Sequence, residues 1–355
     1  KPPSFVGSGW IGSGVEVSTV ERRYDQFLAD QVRTSRTASG ESEVYYAYAK
    51  QLDDLYADPE LGLDPVLQRY FNALNGVAND PSSVAAREVL LAEAEALTDR
   101  FHFLVRRGAE IADGVNRDIA GTVADINTLA KGIAELNQVI VESGGMSGQP
   151  PNDLLDQRDQ LIADLNTKIR APTITQSDGT YSVFIGNGQP LVIGTLSFSM
   201  QAMAAPDDPE RMIVALRSPN GNPPILMPES MLTGGSLGGL IAFRSDSLDA
   251  AQNALGRIAL TLATDVNAQH RLGQDLTGAL GGDYFVAASS LVRQPQANST
   301  NAGTGVLSLA VTTVPDLTTS DYRLTYDGAN YSLLRLSDNT AIPYTLGTEV
   351  DGITL

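Results

Sequence analysis

The stretch VNRDIAGTVADINTLAKGIAELNQVI, residues 115–140, decides the fold of this chain. Four isoleucines recur in it at a seven-residue spacing: Ile119, Ile126, Ile133 and Ile140. The second seam position is also apolar, with Val115, Leu129 and Leu136. A seven-residue apolar repeat is typical of long helices that pack side by side, as in coiled coils. We therefore predict a rod-like helix that pairs with other helices and carries no catalysis.

A second apolar register precedes this stretch, with a seven-residue repeat at Leu90, Leu97, Leu104 and Ile111. The seam shifts by one residue between the two registers, and such a shift changes supercoiling locally without ending a helix. We expect helix through both registers to about Ser143, where a cluster of glycines ends it. That cluster is Gly144, Gly145 and Gly148.

Composition limits the classes of function. The length of 355 residues allows two or three domains. A formal net charge of -18 argues against nucleic-acid binding, because phosphate contacts need clustered lysine and arginine. No apolar run approaches the roughly 18 residues of a membrane span, and the first residues do not resemble a signal peptide. Cysteine is absent, which excludes disulfides and thiol chemistry and leaves both an intracellular and a secreted protein open.

The predicted fold class is α+β and multidomain, a bundle of long helices that carries small antiparallel β-domains. We predict a helical rod domain with an extended lead-in over residues 1–172 and a β-domain over 173–234. A returning helix and loop over 235–283 pack on the helical domain, and a second β-domain or β-subdomain covers 284–355. An Asp327-Gly328 turn between two alternating segments predicts a hairpin there.

Helix starts are predicted from polar residues that can accept hydrogen bonds from the first turn. Asp64 and Asp80 each precede a proline, which favours the first helical position. Asn152 and Ser236 are predicted to cap the next two helices.

Two glycine motifs could suggest ligand chemistry. Gly7-x-Gly9-x-x-Gly12 matches a dinucleotide fingerprint by letter, but no strand precedes it and no βαβ unit surrounds it. Gly234-x-Ser236-x-Gly238 matches a nucleophile elbow, although a helix cap at Ser236 is favoured.

Titratable residues give no stronger case. The two histidines, His102 and His270, fit no zinc motif and no cysteine accompanies them. Carboxylates at Asp153, Asp156 and Asp159 could form a catalytic pair, but acids in the first turns of a helix are expected from its dipole. The loop around Asp275 fails the calcium-binding pattern. We therefore assign no catalytic, cofactor-binding or metal residue and predict no enzyme and no cofactor.

Several stretches together resemble the family of bacterial flagellar hook-associated protein 1, the hook-filament junction protein. The two most specific are Asn152-Asp153-Leu154-Leu155-Asp156-Gln157-Arg158-Asp159 and Gly235-Ser236-Leu237-Gly238-Gly239-Leu240. The others are Gly12 to Val17, Asp80-Pro81 with Ala86-Arg87, and Asn267-x-Gln269-His270-x-x-Gly273-x-Asp275. The resemblance covers roughly residues 1–283, and 284–355 shares mostly its β-texture.

This resemblance implies a secreted structural subunit that passes unfolded through the flagellar export channel, without a cleaved signal peptide. It implies assembly as an extracellular ring between hook and filament. The implied partners are copies of itself, hook protein, the second junction protein and an export chaperone, with no nucleic acid and no membrane. In the family both chain ends form an inner coiled coil, so this chain is expected to be a fragment that lacks both segments.

Two other readings stay open. A flagellar surface adhesin, or another flagellin-like structural protein, would also place β-domains on a helical core. If the chain is an adhesin, we expect an exposed aromatic patch within 173–230 or 284–355. An enzyme inserted in a flagellar scaffold is disfavoured because no zinc motif is present.

Overall fold

A computed structural model describes residues 25–60, 62–147, 151–217, 223–286 and 307–355, with the backbone alone at 144–147. It also describes the backbone of two short strands near the start, β1 (Ser4–Val6) and β2 (Gly9–Ile11), which pair antiparallel. The remaining residues of the predicted lead-in lie outside the described residues.

The described helices include one of exceptional length. They are α1 (Gln26–Tyr56), α2 (Asp64–Asn79), α3 (Val84–Ser147), α4 (Asn152–Lys168), α5 (Gly235–Phe243) and α6 (Asp249–Arg271). A π-helical turn, Arg244–Leu248, joins α5 to α6. Both apolar registers fall on α3, whose 64 residues span about 96 Å. The predicted rod is therefore a single uninterrupted helix.

The predicted end of α3 near Ser143 is wrong, because the helix continues through Gly144 and Gly145 to Ser147. A glycine in a helix costs only about 1 kcal/mol relative to alanine. A long helix that is already packed along most of its length can continue through two of them.

The predicted caps are also corrected. Asp64 and Asn152 are the first residues of their helices and not the preceding cap residues. Asp80 ends α2, since its backbone N–H donates to the Gly76 carbonyl. Ser83 takes the cap position of α3 instead, and its Oγ accepts from the Ala86 N–H at 3.2 Å. The turn that Pro81 begins moves the helix start by three residues.

Ser236 does not cap α5 either. Gly234 is the cap residue, with a positive φ of 76° that suits glycine. The chain therefore enters the helix earlier than predicted, and Ser236 lies inside its first turn.

The heptad seam is buried within this chain. Ile119, Ile126 and Ile133 are fully buried. They share one apolar cluster with Ile162 and Leu165 on α4 and with Ile169 directly after it. Here α4 runs antiparallel to α3, because Arg158 meets Asn137 and Lys168 meets Asp125.

The first β-region shares that cluster. It contains the antiparallel strands β3 (Thr173–Thr175), β4 (Tyr181–Ile185), β5 (Gln189–Ile193) and β6 (Leu196–Ser197), in that order. A second sheet has the order β7 (Ser199–Ala204), β8 (Met212–Arg217) and β9 (Ile225–Leu226). Val183, Leu191 and Val214 pack in the same core as the α3 isoleucines. The sheets are thus built onto the helices.

Residues 307–355 have a separate small core of Leu333, Tyr344 and Ile353. Their two sheets have the strand orders β10-β15-β14 and β11-β12-β13. The strands are β10 (Ala310–Val311), β11 (Tyr322–Tyr326), β12 (Tyr331–Arg335), β13 (Thr340–Tyr344), β14 (Glu349–Val350) and β15 (Ile353–Thr354).

The predicted hairpin at Asp327-Gly328 is confirmed, with Tyr326 opposite Tyr331 and Leu324 opposite Leu333. With long helices and small antiparallel sheets, the predicted α+β class is confirmed as well. The predicted domain boundaries stay predictions.

Candidate functional site

The candidate sites in this molecule are groups of polar side chains that form hydrogen bonds between helices and strands. Three asparagines on α3 each hold a β-segment through a side-chain amide, and we call Asn116, Asn127 and Asn137 the α3 clamps. Their spacings of 11 and 10 residues are close to three helical turns, so all three lie toward one side of α3. An amide side chain offers both a donor and an acceptor, which is what an unpaired peptide group needs.

Asn127 shows the simplest clamp. Its Oδ1 accepts from the Met200 N–H at 2.7 Å, and its Nδ2 donates to the Met200 carbonyl at 2.8 Å. Met200 lies in β7, an edge strand of its sheet. The side chain thereby satisfies backbone groups that would otherwise lack a strand partner.

Asn137 is fully buried and makes the densest clamp. Its Nδ2 donates to the carbonyls of Tyr181 at 2.8 Å and Gly194 at 2.7 Å. Its Oδ1 accepts from the Tyr181 N–H at 3.1 Å and from Arg158 Nη1 at 3.0 Å. One side chain thus joins α3, α4 and the first sheet.

Arg158 is the buried charge of the Asn152 to Asp159 block. Its guanidinium lies 3.7 Å from the centre of the Tyr181 ring, a cation–π contact. It also donates to the Gly179 carbonyl at 2.9 Å. Asp159 forms an ion pair with Arg33 at 3.4 Å, while Asp153 and Asp156 are exposed. The structure therefore uses this block to attach the first sheet to α4.

Asn116 connects to a network of ionic side chains. Its Nδ2 donates to the Glu210 carbonyl at 2.7 Å, and its Oδ1 accepts from the Met212 N–H at 3.0 Å. The buried Arg244 donates to Asn116 Oδ1 at 3.3 Å and to the Met212 carbonyl at 2.8 Å. This clamp ties α3 to β8 and to the π-helical turn.

Glu229 sits between two arginines in this network. It accepts from Arg244 at 2.8 Å and from Arg211 at 3.1 Å. Arg211 also pairs with Asp249 at 2.6 Å. Burial by itself raises the pKa of Glu229, but the hydrogen bond from Arg211 and the charge of Arg244 outweigh it and lower that pKa. Glu229 is thus held as a carboxylate by two arginines in a partly buried position.

The Gly235 to Leu240 block is a site of close backbone packing. A Cβ on Gly239 would lie 2.4 Å from the Glu41 carbonyl oxygen of α1. A Cβ on Gly235 would lie 2.3 Å from the Lys168 carbonyl carbon at the end of α4. Only glycine lets α5 approach both helices this closely. The motif therefore has a packing role.

Neither histidine is hydrogen-bonded to Ser236 of the possible nucleophile elbow within the described residues. Ser236 Oγ is buried and has no hydrogen-bond partner within the part of the chain that the structure describes. His270 Nδ1 lies 2.8 Å from the Gly282 carbonyl, and His102 is exposed on α3. Gly7 and Gly12 of the other motif lie outside the described residues.

A fourth asparagine holds the segment after α6. Asn267 Oδ1 accepts from the N–H groups of Tyr284 and Phe285 at 2.7 and 2.8 Å, and its Nδ2 donates to the Phe285 carbonyl at 2.7 Å. Asp275 Oδ1 accepts from Thr277 Oγ1 at 2.7 Å and from two backbone N–H groups. These bonds, led by the one from Thr277, lower the pKa of Asp275. The carboxylate thus shapes its own turn.

Within the described ranges, no three histidine or acidic side chains come close enough together to hold a metal ion. No helix in those ranges is both long and apolar enough to cross a membrane.

Sequence reasoning missed the α3 clamps and the Arg211–Glu229–Arg244 network. The sequence does contain a signal for the clamps, because each asparagine directly follows an apolar heptad position. Burial of an amide side chain there costs free energy unless the amide forms hydrogen bonds. The partners could not be identified, because Asn127 and Met200 are 73 residues apart.

Comparison with known proteins gives matches along most of the chain. A family model described as the helical domain of flagellar hook-associated protein FlgK matches residues 49–285. A second, described as a D2-like domain of flagellar hook-associated protein 1, matches residues 296–355.

Individual relatives agree with these models. Flagellar hook-associated protein 1 of Salmonella typhimurium is 38% identical over 352 residues, which cover 97% of this chain and 63% of the relative. The Escherichia coli K12 protein of that name is 34% identical, covering 95% and 61%. The chain thus spans less than two thirds of the length of these curated relatives.

A solved structure shares the fold. The flagellar hook junction protein FlgK from Burkholderia pseudomallei superposes with a TM-score of 0.82 at 33% identity. The match covers 91% of this chain and 59% of that one.

Proposed function

This chain belongs to the family of flagellar hook-associated protein 1, and from that premise we propose that it is a structural subunit that joins the flagellar hook to the filament. The observation that carries the proposal is the 38% identity to the Salmonella typhimurium protein over 97% of this chain.

The hydrogen bonds between helices and sheets support a mechanical role. The α3 clamps, Arg158 and the Glu229 network tie the first β-region to α3 over residues 116–137, about 32 Å of its length of about 96 Å. A subunit that connects two tubular assemblies must transmit torque without changing shape. Buried hydrogen bonds of fixed direction resist sliding of the sheets along the rod better than apolar contacts alone, because apolar contacts have no preferred direction.

The remaining parts of the proposal concern place and partners. We place the subunit outside the cell, in a ring of identical copies with hook protein on one side and the second junction protein on the other. Export of the unfolded chain through the flagellar channel, without a cleaved signal peptide and with the help of a chaperone, belongs to the same proposal. The lack of cysteine suits such a route, since no disulfide can block passage.

We propose that the subunit is not an enzyme. Among the residues considered for catalysis, Asp159 pairs with Arg33, His270 Nδ1 lies 2.8 Å from the Gly282 carbonyl, and Ser236 makes no hydrogen bond to a histidine within the described residues. An adhesin is less well supported. Among the described residues of 173–230 and 284–355, Tyr326 is the one large aromatic side chain that is mostly exposed, and it packs against Tyr331.

Deletion of the gene in its own organism tests the proposal. We expect intact hooks and continued export, because hook assembly comes before this subunit acts. Filaments should be missing, and flagellin should accumulate as monomer in the medium. Electron microscopy of the cells shows whether hooks and filaments are present. Electrophoresis of the culture supernatant measures the exported flagellin.

Two complemented strains serve as controls. The wild-type gene should restore filaments, and so should a Ser236→Ala allele, which removes the only serine of the elbow motif. Normal filaments in the deletion strain would contradict the joining function. Failure of the Ser236→Ala allele alone, with normal protein levels, would revive an enzymatic role.

A further inference from the structure

The loop after α6 presents three leucines to solvent. Leu272, Leu276 and Leu280 are 78%, 76% and 71% exposed, and we call residues 272–282 the leucine loop. Its backbone is fixed, since Asp275 accepts three hydrogen bonds within it and His270 lies 2.8 Å from the Gly282 carbonyl. A rigid loop that exposes large apolar side chains is typical of a surface that contacts another protein.

An apolar groove lies beside this loop, between α2 and α6. Its volume is about 700 Å³. One wall has Leu67, Phe71 and Leu74, and the other has Ile258, Leu262 and Val266. Phe71, Leu74 and Ile258 remain partly exposed at its mouth. The groove could therefore accept apolar side chains from outside.

We propose that the leucine loop of one copy seats in the α2–α6 groove of the next copy. This inference rests on the proposed function, because a ring of identical subunits needs two different surfaces that fit each other. Each copy carries both the protruding leucine loop and the recessed α2–α6 groove. The loop of one copy can therefore contact the groove of the next, and this head-to-tail contact can repeat from copy to copy.

The charge distribution favours a second copy as the occupant. At a formal net charge of -18, two copies repel each other wherever acidic surfaces meet. The groove lining includes one arginine and one aspartate, Arg257 and Asp265. The leucine loop carries a single charge, at Asp275, and the Arg271–Asp283 ion pair flanks it. Both surfaces are close to neutral, so copies can approach here without strong repulsion.

The area of the contact limits its strength. Three leucine tips offer on the order of 300 Å² of apolar surface. A stable complex buries about 800 Å² on each partner. Free copies should therefore associate weakly, and the contact becomes effective where other contacts hold copies side by side at high local concentration.

Engineered cysteines test the contact, because the chain has none of its own. One preparation carries Leu276→Cys in the loop and the other Leu74→Cys in the groove. After mild oxidation at high protein concentration, we expect the mixed disulfide in several-fold excess over either homodisulfide. A chain with both substitutions should form a ladder of multimers whose yield rises with concentration.

Two matched controls define the background. Leu196→Cys, a similarly exposed leucine on β6, should give no such excess with Leu276→Cys. Adding Ile258→Asp to the groove preparation should reduce the mixed disulfide to that background. Unchanged circular dichroism melting of each variant shows that its fold is retained.

Other outcomes would overturn the proposal. A preferred Leu276→Cys homodisulfide would indicate a symmetric contact, and a groove thiol that resists alkylation in dilute monomer would indicate an occupant from the same chain. Mixed products at background level would exclude a second copy from the groove. None of these results would affect the gene-deletion test, so the contact can fail while the joining function stands.

Discussion

Buried side-chain amides make specific connections in this chain, because each satisfies a backbone donor and a backbone acceptor at once. Asn137 illustrates this with four hydrogen bonds to three residues in a fully buried position. Ser236 is the opposite case, since its Oγ is buried but finds no partner among the described residues. Ser236, which the sequence singles out as a cap, therefore contributes less than Asn137, which it does not single out.

Asn137→Ala should destabilise the chain by about 2–3 kcal/mol, because it removes four hydrogen bonds and leaves the partly buried peptide groups of Tyr181 and Gly194 without this partner. The control is Gln138→Ala on the next, exposed position of α3. That substitution should change the free energy of unfolding by no more than about 0.5 kcal/mol. Urea denaturation followed by circular dichroism measures both values. Equal effects would mean that the clamp contributes nothing.

Ser236→Ala should leave the stability within about 0.5 kcal/mol of wild type, because no hydrogen bond is lost. Ser83→Ala should cost about 1 kcal/mol, because Ser83 Oγ caps α3 by accepting from Ala86 N–H. Thermal melting of the two variants compares them. The reverse order would support the cap that the sequence predicts at Ser236.

At the scale of secondary-structure elements, α3 and α5 show two ways in which a helix is fixed in place. The apolar repeat of α3 is buried against α4 and the first sheets, so packing over many turns stabilises it. The short α5 relies instead on glycines that admit neighbouring backbone to within contact distance. Substitutions on α3 should therefore destabilise the fold by disturbing its buried apolar face. Substitutions of the α5 glycines should destabilise it through clashes with neighbouring backbone.

Ile126→Asp should lower the melting temperature strongly, because an unpaired charge in the buried seam costs several kcal/mol. Val139→Asp on the same helix is the control, since Val139 is 42% exposed. Differential scanning calorimetry follows both. An unchanged melting temperature for Ile126→Asp would mean that the seam faces solvent and is reserved for another subunit.

Gly239→Ala should destabilise the chain by more than 1 kcal/mol, because its Cβ would lie 2.4 Å from a backbone oxygen that cannot move away alone. Gly256→Ala on α6 has no atom within 4 Å of the added Cβ. It should stabilise the helix by about 0.5–1 kcal/mol. Chemical denaturation measures whether each substitution raises or lowers the free energy of unfolding. Stabilisation by both would show that α5 can shift away from α1.

At the scale of the whole molecule, residues 307–355 are joined to the rest by polar contacts. Asn253 donates to the Thr319 carbonyl at 3.3 Å, and Arg257 donates to the Leu317 carbonyl at 3.0 Å. An ion pair also connects Arg323 to Asp207. Because the small core of this unit includes no helical residue, it can unfold without disturbing the helices.

Leu333→Ala should therefore unfold residues 307–355 selectively. Its side chain is 1% exposed and central to a core of three buried residues. Hydrogen exchange should show lost protection in β11–β13, while the helical melting transition stays in place. Leu336→Ala, at a partly exposed position of the same unit, is the control. A joint loss of protection in α3 would show that the units fold as one.

The sequence by itself determined the helices and hairpins whose signals are local and repeated. Two seven-residue repeats, from Leu90 to Ile111 and from Ile119 to Ile140, predict most of α3 correctly, because each added turn reinforces the same buried face. The Asp327-Gly328 turn likewise specifies its hairpin through the backbone conformations that glycine permits. The two specific sequence blocks also identified the family.

Tertiary structure alone decided the caps, the partner of the heptad seam and the clamps. A cap contributes about 1 kcal/mol, so a competing turn, as at Pro81, or a glycine, as at Gly234, moves a helix end. The seam could have faced another chain, and only its packing on α4 shows that it does not. Asn127 meets Met200 across 73 residues, because a polar group in a core must find whichever partner the fold brings near.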